Sequence, residues 1–165
     1  MQHVETVYGQ WHQEFGLLSR EFEIPFAGKP CEITVKLEVN DCLDLTQAQI
    51  QAIDMILSLS RDLEPALAHL LYEDYLEALK YVSQETLGAS IANAVEAWNA
   101  AKLGPLFIFV PVHGNSKNRF AILSYQAPWN PEHGIHILIK DGLVVERVDA
   151  DLGTSHYEWS EYLTQ

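Results

Sequence analysis

Apolar and polar residues alternate between positions 16 and 39. Phe22, Ile24 and Phe26 are interleaved with Glu21, Glu23 and Pro25. After Ala27-Gly28-Lys29-Pro30, Ile33, Val35, Leu37 and Val39 are interleaved with Glu32, Thr34, Lys36 and Glu38. A period of two with charges on one side predicts an antiparallel hairpin with one solvated face. Val4 to Tyr8 adds a short edge strand.

The period then becomes helical. Thr46 followed by Gln49 is a capping-box pattern, and Ile50, Ile53, Ile56 and Ser60 trace one face to about Arg61. Pro65 suits a first helical turn. Beyond it Leu67, Leu70, Leu71, Tyr75, Ala78, Leu79 and Val82 recur at helical spacing. A third helix is expected over about 86–101, with Leu87, Ile91, Val95 and Trp98 inward and Gly104 near its stop. From Leu106 the strand period returns. Leu106 to Val112 reads as a central strand, His113 to Asn118 as a loop, and Phe120 to Tyr125 as a strand. His133 to Lys140 is another strand, joined through Asp141-Gly142 to Leu143–Val148, and Asp-Gly between alternating runs is a strong hairpin signal. Strands, then helices, then strands predict an α+β fold rather than a βαβ crossover fold. Its antiparallel sheet combines the N-terminal hairpin with the C-terminal strands, and about three helices from the middle of the chain pack on one face.

A chain of 165 residues buries roughly 70% of its unfolded surface and needs no covalent staple. Without a linker or internal repeat, it reads as a single domain over 1–165, with its core over about 14–151. Two cysteines, Cys31 and Cys42, are too few for a disulfide framework. The amino end lacks a basic stretch followed by an apolar run, and the 106–112 stretch is too short to span a bilayer. The expected setting is therefore the cytoplasm, with no membrane association and both thiols reduced.

Charge narrows the choice of partner. The net charge is −13, divided as −3 over 1–40, −7 over 41–102 and −3 over 103–165. That sign repels phosphate backbones, and Lys117 with Arg119 is no basic stripe, so nucleic acid is excluded as a partner. A basic protein fits instead, although acidity also serves solubility. The second helix concentrates Tyr72, Glu73, Asp74 and Glu77, a tyrosine- and acid-rich surface of the kind that receives a cationic partner. Asp151 is a further candidate binding residue near the end of the chain.

The densest grouping of chemistry is Trp129-Asn130-Pro131-Glu132-His133-Gly134. One reading makes Glu132 and His133 an acid/base pair. The other makes the segment a corner: Asn-Pro turns the chain, Trp129 plugs the sheet end, and Glu132 accepts backbone N–H bonds. His133 and His136, three apart on a strand, face opposite ways and cannot chelate one ion, so no metal site is expected. No phosphate-binding loop, dinucleotide fingerprint or nucleophile elbow is present, and no cofactor is called for.

This layout resembles an uncharacterised bacterial domain family whose members carry a W-(D/N)-x-E-H-G signature followed by a strand, a short turn and another strand. The signature here is Trp129 to Gly134. The hairpin around Ile24 to Lys29, the Leu45-Thr46-Gln47 helix start and the helix bearing Tyr72 and Tyr75 are similar too. Relatives place a small residue where this chain has His136. The resemblance implies an α+β fold without a known catalytic activity and, by analogy, an immunity-type role. The reading that follows is a non-enzymatic protein-binding domain that masks a basic toxin or enzyme, with Trp129 among its binding residues. Its alternatives are a small hydrolase using Glu132 and His133, and a homodimeric module pairing through a strand edge.

Overall fold

Strand follows strand across the sheet in chain order. In the computed structural model, which describes residues 2–14, 17–24, 30–36, 45, 47–109 and 120–148, eight strands form one sheet ordered β1 to β8. They are β1 (Gln2–Thr6), β2 (Gly9–Glu14), β3 (Leu17–Glu23), β4 (Pro30–Lys36), β5 (Lys102–Phe109), β6 (Phe120–Ala127), β7 (Asn130–Lys140) and β8 (Leu143–Val148). Between β4 and β5 come α1 (Gln47–Leu57), a 3-10 turn (Arg61–Leu63), α2 (Glu64–Ala78), α3 (Gln84–Leu87) and α4 (Ala94–Ala100). The α+β expectation holds. The first hairpin and the last strands share one sheet, and the helices pack on one of its faces.

Six neighbouring pairs are antiparallel; β4 and β5 are parallel, with Ile33 opposite Leu106 and Val35 opposite Ile108. The helical layer explains the exception. A chain that leaves β4, crosses the sheet through helices and returns beside it runs in the same direction. One crossover therefore sits within an otherwise antiparallel sheet.

Alternation sorts the strand residues onto two faces. Val4, Trp11, Leu18, Ile33, Val35, Leu123, Tyr125, Ile135 and Ile137 point toward the helices. There they form one core with Ile53, Ile56, Leu67, Leu71 and Tyr75. Trp11 is fully buried, and its indole N–H donates to Thr6 Oγ1 at 2.8 Å. The expected edge strand at residues 4–8 is thus half of a β1–β2 hairpin, closed by the Val7-Tyr8 turn with Thr6 opposite Gly9. The alternation of Trp11 and Gln13 with Gln10, His12 and Glu14 carried that second strand, but only one large apolar residue marks it.

The third helix departs from expectation. It is two pieces, because Gly88 adopts φ +64° and stops α3. The second piece begins with its own cap: Asn93 Oδ1 accepts the Glu96 N–H at 3.1 Å, while Glu96 accepts the Ala92 N–H at 2.9 Å. Two caps outweigh the apolar spacing that ran through them. Ala97 is consequently the buried residue, and Val95, expected inward, is 66% exposed. The first helix ends at Leu57 rather than near Arg61, and Val82 lies beyond α2 in an exposed position. Thr46, Cys42, the turn at 27–29 and Asp151 lie outside the described residues.

Candidate functional site

Two regions hold the residues that matter: the Trp129 corner and the outward face of β1–β4.

At the corner, Ala127 pairs with Asn130, so the reversal is made by Pro128 and Trp129, and Asn130-Pro131 already belongs to β7. The ladder resumes at Tyr125 and Ile135. Pro131 to Gly134 therefore stand against Gln126 alone, as an extended bulge. Gly134 closes it at φ +70°, where a Cβ would lie 2.9 Å from the Tyr125 carbonyl oxygen. Asn130 Nδ2 donates to the Gly134 carbonyl at 3.0 Å and holds the loop shut. Glu132 and His133 ride on its crest. Glu132 Oε2 and His133 Nε2 are 4.0 Å apart, and the side chains are 85% and 73% exposed. Such a pair is solvated, without the low-dielectric setting that sharpens acid/base catalysis.

Trp129 turns the other way. It is buried against Tyr75, the rings edge to face at 5.6 Å, and its indole N–H donates to Asp74 Oδ2 at 3.0 Å. Arg147 on β8 completes the arrangement, donating to Asp74 Oδ1 at 2.5 Å and to Glu77 Oε2 at 2.6 Å. Three of the expected binding residues are therefore linked, Trp129 directly to Asp74 and Asp74 to Glu77 through Arg147, as a tie between α2 and the end of the sheet. Burial opposes the Arg147 charge, but the Glu77 and Asp74 bonds overcome it and push its pKa up. Arg147 in turn draws the Glu77 carboxyl below its usual range, first by hydrogen bonding and then by charge. Tyr72 stacks on Tyr75 and donates to the Ala92 carbonyl at 3.0 Å, while Glu73 lies 3.3 Å from His69. The Tyr75 hydroxyl donates to the Ala89 carbonyl at 3.2 Å. The tyrosines and acids of α2 are largely occupied within the domain.

The outward face of β1–β4 is different. Glu5, Glu14, Glu21, Glu23 and Glu32 all point away from the helices and are exposed. Glu21 and Glu32 are register partners on β3 and β4. Arg20 points to the opposite, helix-facing side, its guanidinium carbon 5.1 Å from the centre of the Phe22 ring. Among the described side chains of these strands, the carboxylates point outward and Arg20 inward. This acidic face was implicit in the alternation of residues 21–38, but its extension onto β1 and β2 depended on the hairpin that one tryptophan marks.

A family model matches residues 4–154, a span that includes both the acidic face and the corner. The chain belongs to that family, Domain of unknown function (DUF6985). No curated protein and no solved structure matches it. Within this DUF6985 domain, no described helix is long and apolar enough to cross a membrane. Cys31 is buried, and its Sγ donates to the Gly104 carbonyl at 3.1 Å.

Proposed function

We propose that this domain binds a basic protein through the outward face of β1–β4. The observation that carries the reading is the facing of Glu21 by Glu32. Like charges directly opposite on neighbouring strands cost stability, and a partner's Lys or Arg set between them would offset that cost. Glu5, Glu14 and Glu23 extend the negative face around the pair. The acids of α2 suit the task less well, since Asp74 and Glu77 are already paired with Arg147. Complementary charge accelerates encounter and discourages wrong partners. An immunity-type domain that masks a basic toxin or enzyme in the bacterial cytoplasm needs both properties. The signature Trp129 to Gly134 then serves the fold, with Trp129 as its anchor, and the hydrolase reading is the weaker one because Glu132 and His133 are solvated.

The test is capture of a partner from the source cell by the wild-type domain and by the Glu21→Gln/Glu32→Gln variant, followed by association rates at rising salt. A basic protein held by the wild type, lost by the variant and slowed by salt supports the reading. A partner captured equally by both, at a salt-independent rate, refutes it.

A further inference from the structure

We propose that His3 and His12 form a two-imidazole site for a late first-row divalent metal ion, of the class of Zn2+, Ni2+ and Cu2+. The two residues are register partners on β1 and β2. Both are exposed on the outward face, with ring centroids 4.9 Å apart and planes inclined at 58°. Two imidazoles on one tetrahedral zinc, each with its nitrogen about 2.0–2.1 Å from the ion, have centroids about 5 Å apart. The observed centroid spacing of 4.9 Å matches that separation, and the register already sets the two side chains opposite each other.

The frame that holds the pair is stiff. Thr6 Oγ1 accepts the Tyr8 N–H at 3.1 Å and the Trp11 indole N–H at 2.8 Å, pinning the turn to the core. Gly9, at φ +89°, sets the register that brings the two histidines opposite each other. Donor type selects the ion: imidazole suits zinc, nickel and copper, whereas magnesium and calcium prefer oxygen. Glu5, two residues along the same face from His3, and Glu14, two beyond His12, favour a dication by their field. Among the described residues no group of three or more His, Cys, Asp or Glu side chains is assembled around a metal position. The described residues thus supply two donors, and water would fill the other positions. The inference stands apart from the proposed partner, because it rests on the imidazoles and not on the carboxylates of β3 and β4.

Chelator-treated protein is titrated with zinc chloride, and separately with magnesium chloride, by calorimetry and by NMR of the imidazole ring protons. The expected result is one zinc per chain, with the His3 and His12 ring resonances shifting together and no response to magnesium. His3→Gln and His12→Gln each weaken zinc binding by about tenfold or more, as loss of a chelating donor requires, while His133→Gln leaves it unchanged. Zinc binding indifferent to His3 and His12, shifts confined to other imidazoles, or no response to zinc would overturn the proposal. The ring resonances of the wild type decide the matter even if a variant folds poorly.

Discussion

The indole N–H of Trp129 donates to the carboxylate of Asp74 at 3.0 Å, across 55 residues of sequence. This bond joins the corner of the last large hairpin to the second helix, and Arg147 locks the same carboxylate from the neighbouring strand. Trp129 is only 3% exposed, so Trp129→Ala removes a core ring and should cost about 3–5 kcal/mol. Trp129→Phe keeps most of the apolar contact but leaves Asp74 without the indole donor, and should cost less. Urea unfolding of both variants checks the order.

Gly134→Ala should destabilise by about 1–3 kcal/mol, since it puts a side chain at positive φ. The added Cβ would also meet the Tyr125 carbonyl at 2.9 Å. Gly88→Ala is the informative control. It too has positive φ, but nothing lies within 4 Å of its added Cβ. Its smaller loss, measured in the same way, would separate the clash from the backbone strain.

Acid should loosen the tie between α2 and β8. The Glu77 carboxyl is lowered in the fold by Arg147, so the unfolded chain takes up the proton first as pH falls. The stabilisation is fully present above the ordinary value of 4.5 and is lost as pH falls through the depressed one. Thermal unfolding from neutral pH to about pH 3 should show a steeper decline for wild type than for Glu77→Gln.

A second acid effect comes from His136, which faces Ser124 across β6 and β7. Its Nδ1 and the Ser124 hydroxyl oxygen are both buried without a hydrogen-bond partner. Burial lowers the His136 pKa from 6.5, so the fold favours the neutral ring. Stability is unaffected above that ordinary value and falls as pH drops toward the lowered one. Urea midpoints at about pH 7.5 and 5.5 should differ more for wild type than for His136→Gln.

Long, periodic features were legible in the sequence. The alternation through Ile33 and Val35 placed β4, and the Leu67-Leu71-Tyr75 spacing placed α2. Asp141 and Gly142, at φ +50° and +82°, make the turn their identities require. Signals carried by single residues were not legible. Asn93 and Glu96 split the third helix through a cap that the apolar spacing concealed. Trp11 alone marked β2, so the facing of His3 by His12 depended on a hairpin that periodicity did not reveal. The Trp129 motif reads from sequence either as an acid/base site or as a corner; its closing partner Arg147 lies on another strand, and no local pattern pairs it with Asp74.

Replacing one member of the Glu21–Glu32 pair on the outward face of β1–β4 tests stability and binding together. Glu21→Gln should stabilise the free domain by about 0.2–1 kcal/mol while weakening its attraction for cations. The most direct measurement is an amide NMR titration of the domain with a short oligo-arginine peptide, at low salt and again at physiological salt. Shifts centred on His3, Glu5, His12, Glu21 and Glu32, shrinking as salt rises and reduced in the Glu21→Gln/Glu32→Gln variant, are the predicted result. Shifts centred on Tyr72 and Glu73 of α2, or none on β1–β4, would contradict it.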